Sequence, residues 1–122
     1  MFKRCEKVAE AIHEEISALL IKGVKDPRIG MVTVTGVKVT EDLHLATVYF
    51  SVIGGEAERK GAEAGLNSAK GFLRREIGKV LRMRYVPDLL FRYDESVEYG
   101  SRIESLLKQI HETDGIDAEK DQ

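Results

Sequence analysis

The sequence predicts a two-layer α+β domain, with helices packed on one face of a three-stranded mixed sheet. Two observations support this prediction. Apolar residues recur at helical spacing in four segments, residues 3–22, 56–69, 72–83 and 95–111, and they alternate in three short segments between them. The resulting order of elements is α-β-β-α-kink-α-β-α. The 122-residue chain is long enough for one such domain with its own core.

The first helix is predicted over residues 3–22, and a strand follows after a turn. Gly23 suits the end of the helix, and Pro27 disfavours a helical conformation in the residue before it, so the helix ends before KDPRIG. In MVTVTGVKV the apolar positions change parity after Gly36, which predicts a strand with a bulge or kink there. The segment 44–53, HLATVYFSVI, alternates as a second strand, and the short TEDL connection predicts an antiparallel hairpin.

Two consecutive helices are predicted after the second strand. Residues 56–69 form a weak helix, because Gly61 and Gly65 each cost about 1 kcal/mol relative to Ala, although their small size would let another element approach closely. Residues 72–83 form a stronger helix, and Ala69-Lys70-Gly71 is expected to be the kink between the two. The apolar stripe of the stronger helix comprises Leu73, Ile77, Val80 and Leu81.

A third strand and a last helix complete the predicted domain. DLLFRY alternates as a strand, and Asp94 suits the N-cap of a helix over residues 95–111. Residues 1–111 are therefore expected to form a single domain, and residues 112–122 a short, acidic, disordered tail with almost no apolar content. The expected buried stripe of the last helix comprises Tyr99, Ile103, Leu106, Leu107 and Ile110.

The sequence offers little for catalysis or for metal binding. The three histidines lie on separate predicted elements, and Ser17 stands where a second zinc ligand would follow His13-Glu14 on the first helix. The single cysteine, Cys5, cannot form an internal disulfide framework, which fits a reducing compartment. No apolar run approaches the roughly 20 residues of a membrane span, and the N-terminus has no signal-peptide core. We therefore expect a cytoplasmic protein that is not an enzyme and has no catalytic residue, metal or cofactor.

Basic residues are concentrated in one segment of a chain whose formal net charge is −2. Residues 69–86 carry six bases and one acid, a net charge of +5, whereas residues 87–122 carry a net charge of −6. A partner responds to the field of the patch that it approaches, so this segregation predicts a surface for an anionic partner despite the acidic total. The six bases are Lys70, Arg74, Arg75, Lys79, Arg82 and Arg84.

Helical spacing places Arg75, Lys79 and Arg82 opposite the apolar stripe, at about 100° per residue. A simple solvated face explains this placement, but such faces normally mix charges of both signs, and Glu76 is the only acid here. Basic residues in the first turn also oppose the helix dipole. Free backbone N–H groups and positive charge at that helix start would together favour a bound phosphate.

Four long phrases, spread over residues 3–107, carry a family resemblance: VAEAIHEEISALL, VKDPRIGMVTVTGVKVTEDLHLATVYFSV, GLNSAKGFLRREIGKVLRMRYVPDLLFRYDES and EYGSRIESLL. Their order and spacing resemble the ribosome-binding factor A family, whose fold is KH-like of type II. KH domains ordinarily carry a GxxG loop between their two consecutive helices. This chain has Ala69-Lys70-Gly71 instead, the feature that separates ribosome-binding factor A from other KH proteins.

The resemblance implies a bacterial ribosome-assembly factor that binds the immature small (30S) ribosomal subunit and its 16S ribosomal RNA. It implies assistance in late rRNA processing and subunit maturation without catalysis, and an association with growth in the cold. We expect a monomer with no membrane and no small-molecule partner. The predicted RNA-binding residues are Ala69, Lys70, Gly71, Arg74, Arg75, Lys79, Arg82 and Arg84.

Four other bases, at the N-terminus and in the KDPRIG loop, are candidate secondary RNA contacts: Lys3, Arg4, Lys7 and Arg28. An exposed helix start and a solvated turn explain these residues about as well. A second hypothesis for the whole chain is a protein-interaction adaptor whose basic helix docks on an acidic partner. Copurification separates the two hypotheses, because one predicts ribosomal RNA or small subunits and the other a single acidic protein.

Overall fold

Two long helices and a three-stranded sheet form the described part of the chain. The computed structural model describes residues 3–22, 24–96, 106, 107 and 110. Within those residues, no helix is both long enough and apolar enough to cross a bilayer. Helix α1 spans Arg4–Lys22, a 3-10 turn spans Pro27–Ile29, strand β1 spans Val32–Val39, β2 spans Leu45–Val52, α2 spans Glu56–Leu81 and β3 spans Asp88–Tyr93.

The strands form one mixed sheet, as the sequence predicted, and β2 lies in its centre. β1 pairs antiparallel with β2, and β2 pairs parallel with β3. The β1–β2 register shifts between Val34 and Gly36, which confirms the predicted bulge. Val34 lies in the core before the shift, and Val37 packs against the core after it. The extra residue thus keeps apolar side chains on one face along the whole strand.

Both helices pack on that face of the sheet, which confirms the predicted α+β class. Alternate residues of β2 and β3 are buried, and the residues between them are exposed or half-buried on the other face. Helix α1 packs against β1, and α2 packs against β3. The core comprises Ile12, Ile16, Ile29, Val34, Ala46, Val48, Phe50, Ala62, Leu66, Leu73, Ile77, Leu89 and Phe91.

Helix α2 is a single helix of 26 residues, so the predicted division into two separate helices at Ala69-Lys70-Gly71 is wrong. The helical assignment continues through that tripeptide and through both upstream glycines. Burial explains the continuity, because α2 places a row of apolar side chains in the core along most of its length. Tertiary packing of one apolar face outweighs the local propensity cost of a few glycines.

The KDPRIG segment packs on α2 at Gly65, where the absence of a side chain allows the close approach. A Cβ added at Gly65 would lie 2.8 Å from the Cγ2 of Ile29 and 3.3 Å from the Cβ of Arg28. Ile29 is itself buried, so this contact closes one end of the core. The sequence prediction that a small residue here admits another element is therefore confirmed.

Most of the predicted last helix, residues 95–111, lies outside the described residues, as does the predicted tail, residues 112–122. At its start, Asp94 Oδ1 accepts a hydrogen bond from the backbone N–H of Ser96 at 3.0 Å. The prediction of a buried stripe is wrong for Leu106, Leu107 and Ile110, which are each at least half exposed. Tyr99 and Ile103, also predicted in that stripe, lie outside the described residues.

Candidate nucleic-acid interface

Four of the predicted basic side chains are exposed at the end of α2 and in the connection that follows. Arg75 and Lys79 project from the last turns of the helix. Arg82 is the C-cap residue, and its left-handed backbone (φ 52°) turns the chain out of the helix. Arg84 is exposed in the connection to β3. All four are accessible to a partner.

Arg75, Lys79 and Arg82 are spaced by four and then three residues, so they form one row along the helix surface. We call this row the basic face. Within the described residues, Arg75 and Arg82 form no ion pair, whereas Lys79 Nζ lies 3.2 Å from Glu76 Oε1. An exposed ion pair is worth at most about 1 kcal/mol, so Lys79 can exchange Glu76 for a phosphate oxygen. The basic face is thus open to an anionic ligand.

Arg74, which the sequence predicted as an RNA contact, makes hydrogen bonds inside the fold. Its Nη2 donates to the carbonyl oxygen of Val86 at 3.0 Å, and its Nε donates to that of Pro87 at 3.3 Å. The side chain is half-buried beneath the connection between α2 and β3. Val86 also packs close to Gly78, where an added Cβ would lie 2.8 Å from Val86 Cγ2. Arg74 and Gly78 together hold this connection against the helix.

Ala69, Lys70 and Gly71 differ in their surroundings although they are consecutive. Ala69 packs against the core, Lys70 is half-buried and Gly71 is exposed. Among the described residues, a Cβ added at Gly71 would meet no atom within 4 Å. Gly71 adopts helical geometry, so the conformational freedom predicted for it is not used, and its cost of about 1 kcal/mol to the helix has no internal packing reason. It leaves a patch of bare helix backbone about one turn before Arg75.

The candidate contacts at the N-terminus lie at the same end of the sheet as the end of α2. Lys3 Nζ forms an ion pair with Glu41 Oε1 at 2.8 Å, which places the start of α1 beside the β1–β2 turn. The carbonyl oxygen of His44, in the same turn, accepts a hydrogen bond from the N–H of Asp88 at 2.8 Å, where β3 begins. The connection from α2 leads directly to Asp88. The bases that the structure brings to this end are Lys3, Arg4 and Lys7.

Arg28 lies elsewhere and is paired. Its guanidinium donates to both carboxylate oxygens of Asp26, with Nη2 2.6 Å from Oδ2. These side-chain hydrogen bonds, followed by the one from the backbone N–H of Arg28, hold the pKa of Asp26 below its usual value. Arg28 packs beside Gly65, ten residues or about 15 Å before Arg75 along α2. The structure therefore does not bring Arg28 to the basic face.

Tyr85 lies between Arg84 and Val86 and was not among the residues predicted from the sequence. The residue is 74% exposed, and the guanidinium carbon of Arg84 lies 5.5 Å from the ring centroid. The signal was present in RMRYVP, where an aromatic residue follows two arginines just before a proline. Aromatic residues interleaved with bases are typical of single-stranded nucleic-acid surfaces.

The chemistry that this surface offers is electrostatic attraction. Across the described ranges, no three His, Cys, Asp or Glu side chains are grouped so that they could hold a metal ion. His13 Nε2 is engaged with the carbonyl oxygen of Val34 at 3.1 Å. Fold and surface together define a small α+β protein that presents a cationic helix face.

Comparison with known proteins gives the particular family. The family model for ribosome-binding factor A matches residues 4–107. Ribosome-binding factor A of Geotalea uraniireducens is 68% identical over 99% of both chains, and that of Trichlorobacter lovleyi is 60% identical over 96% of both. The chain belongs to the ribosome-binding factor A family.

Solved structures of the family share the fold. The crystal structure of ribosome-binding factor A from Thermus thermophilus is 29% identical and matches with a TM-score of 0.57, over 73% of this chain and 89% of that one. A homology model of the Thermus thermophilus protein, fitted into a cryo-EM map of its complex with the 30S subunit, is 27% identical. It matches with a TM-score of 0.58, over 78% of this chain and 97% of that one.

Proposed function

We propose that this chain binds the immature 30S ribosomal subunit through its 16S ribosomal RNA and assists late rRNA processing and subunit maturation without catalysis. The observation that carries the proposal is family membership over residues 4–107. A similar protein from Thermus thermophilus has been fitted into a map of its 30S complex, which supports the small subunit as the partner. The proposal extends to a cytoplasmic, monomeric factor with a KH-like fold that is associated with growth in the cold.

The basic face and the neighbouring Arg84 supply the affinity in this proposal. Arg75, Lys79, Arg82 and Arg84 are exposed and sit close together, so they can neutralise neighbouring phosphates and release their counterions. Arginine also binds a phosphate through two parallel hydrogen bonds, which fixes orientation as well as affinity. Three of these four residues are arginines.

Gly71 and its neighbours set how closely the RNA approaches. The bare backbone at Gly71 lets an RNA strand lie against the helix, because no side chain of the described residues fills that space. Lys70 is half-buried and adds charge beside it. Ala69 and Arg74 act indirectly, through the core and through the connection that carries Arg84.

Binding alone is sufficient to assist RNA folding. A protein that binds one RNA conformation more tightly than another shifts the population toward the first by its differential affinity. A factor ten in affinity corresponds to about 1.4 kcal/mol, which is enough to change which of two near-equal RNA structures predominates. The proposed activity therefore requires no reacting side chain.

Cosedimentation with precursor 30S subunits tests the proposal. We expect Arg75→Glu combined with Lys79→Glu to abolish cosedimentation while the circular dichroism spectrum stays unchanged, because both side chains are exposed. A matched control, Lys22→Glu combined with Lys25→Glu, makes the same change in net charge at exposed sites outside the basic face. Retained binding by the first double variant, or equal loss by the second, contradicts the proposal. Capture of one acidic protein without ribosomal RNA would indicate the adaptor function instead.

A further inference from the structure

The strongest unassigned feature near the basic face is the exposed ring of Tyr85. Three-quarters of the surface of this residue meets solvent, although aromatic side chains bury large areas in cores and interfaces. Tyr93 shows the opposite arrangement, with Phe50 packed against it edge-on at 5.8 Å between centroids and Arg59 over its ring at 4.1 Å. Among the described residues, Arg84 is the only cation over the Tyr85 ring, at 5.5 Å.

The fold holds Tyr85 beside the basic face rather than at a free loop tip. The next residue, Val86, is fixed by the hydrogen bond from Arg74 and by its close contact with Gly78. Gly71, Arg75, Gly78 and Arg82 follow one another at spacings of four, three and four residues, so they share one side of the helical surface. Tyr85 therefore stands next to the side of α2 that carries the two arginines and the open backbone at Gly71.

We propose that Tyr85 stacks on an unpaired base of the bound RNA, so that this site takes single-stranded rather than double-helical RNA. The inference rests on the proposed RNA-binding function and adds the class of RNA to it. In an A-form helix the faces of the bases are covered by their neighbours, whereas unpaired bases are free to stack on aromatic rings and arginine planes. Arg75 and Arg82 then hold the flanking phosphates, and Arg84 lies over the same ring.

Binding of two RNA probes to the full chain tests the stacking directly. The first probe is a single-stranded 12-nucleotide RNA of mixed sequence without self-complementarity. The second is a fully paired RNA hairpin whose two strands are joined by a non-nucleotide linker, so that it contains no unpaired base. Stacking by one base accounts for about 5- to 150-fold in affinity. We expect Tyr85→Ala to weaken binding of the single strand by a factor in that range, to leave hairpin binding within twofold, and to leave the salt dependence unchanged, because no charge is removed. Tyr85→Phe should bind both probes like the parent.

A fluorescence measurement checks the contact independently of affinity. The chain contains no tryptophan, so Tyr85→Trp places a single reporter at the site. We expect its emission to be quenched by the single-stranded probe and to change little with the hairpin. The control, Tyr49→Trp, lies on the sheet face away from the helices and should respond to neither probe.

The outcomes separate the inference from the proposed function. Suppose that Tyr85→Ala binds the single strand like the parent and that Tyr85→Trp is not quenched, while the charge-reversal variant Arg75→Glu/Lys79→Glu (the double reversal) no longer binds RNA. Stacking is then refuted, and RNA binding by the basic face stands. Equal losses for both probes in Tyr85→Ala also refute stacking on unpaired bases. If the double reversal leaves RNA binding intact while Tyr85→Trp is quenched, the proposal that the basic face binds the RNA is refuted and the stacking contact stands.

Discussion

Gly65→Ala should destabilise the protein, although the same change at Gly61 of the same helix should stabilise it. The added Cβ would lie 2.8 Å from Ile29 Cγ2, a distance that real Cβ atoms do not tolerate. Ile29 is buried and its Cγ2 is bonded directly to its Cβ, so relief requires the whole KDPRIG segment to move. Overpacking of this kind costs about 1–3 kcal/mol, and the gain in helix propensity returns about 1 kcal/mol. We expect a net loss of up to about 2 kcal/mol.

Gly61→Ala is the matched control, because it makes the identical chemical change one turn earlier in the same helix. No atom lies within 4 Å of the Cβ that would be added there. The propensity term then acts alone and should stabilise the protein by up to about 1 kcal/mol. The free energies of unfolding of the two variants should therefore differ from each other by about 1–3 kcal/mol, with Gly61→Ala the more stable.

Urea unfolding followed by far-UV circular dichroism measures both variants. The free energy of unfolding comes from linear extrapolation, and an unchanged slope shows that the same surface is exposed in each case. If Gly65→Ala is as stable as Gly61→Ala, the KDPRIG segment does not press on α2 as the structure has it, and the packing argument fails.

Three further variants test the candidate site and its surroundings. Gly71→Val should fold like the parent, because its Cβ meets nothing within 4 Å, and yet discriminate less well between precursor rRNA and unrelated RNA in a competition assay; full discrimination would remove Gly71 from the interface. Arg74→Ala should lower the free energy of unfolding in urea by about 1–3 kcal/mol, since it leaves the carbonyl oxygen of Val86 without its partner; a neutral result would contradict the bracing role. The pKa of Asp26, followed by NMR, should lie below the usual carboxyl value, and Arg28→Ala should raise it toward that value. Because folding lowers this pKa, the Asp26–Arg28 pair stabilises the protein at pH values above the unfolded-state pKa of Asp26. This stabilisation is lost as the pH falls through the folded-state pKa.

Local patterns predicted the sheet well because successive side chains of a strand point to opposite faces, so the buried face appears in the sequence as an apolar residue at every second position. The parity change at Gly36 located the bulge, and alternation in β2 identified its buried residues. The same reasoning failed in α2, because glycine propensity is a local cost, whereas continuity of the helix is decided by burial along its whole length. Val80 shows the same limit: it fits the apolar stripe by angle but is 55% exposed.

In the candidate site, too, local patterns predicted some residues correctly and failed for others. Composition and helical spacing were enough to predict the exposed bases Arg75 and Lys79. The role of Arg74 depends on where the connection to β3 returns to the helix, and no local pattern encodes that return. Tyr85 was overlooked although RMRYVP carries a local signal for it, and its position beside the basic face follows from the bracing of Val86. The roles of side chains whose partners are distant in the chain can be assigned only from the structure.

The dependence of RNA affinity on salt tests the central claim that the basic face contacts phosphates. With about five contacts, raising the salt from about 50 to 200 mM should weaken binding to a precursor rRNA fragment roughly a hundredfold. Arg75→Ala combined with Lys79→Ala should reduce the slope of log affinity against log salt by about 1.4 to 1.8, whereas Lys22→Ala combined with Lys25→Ala should leave it unchanged. An affinity independent of salt, or an equal slope in the parent and the basic-face variant, would contradict the account.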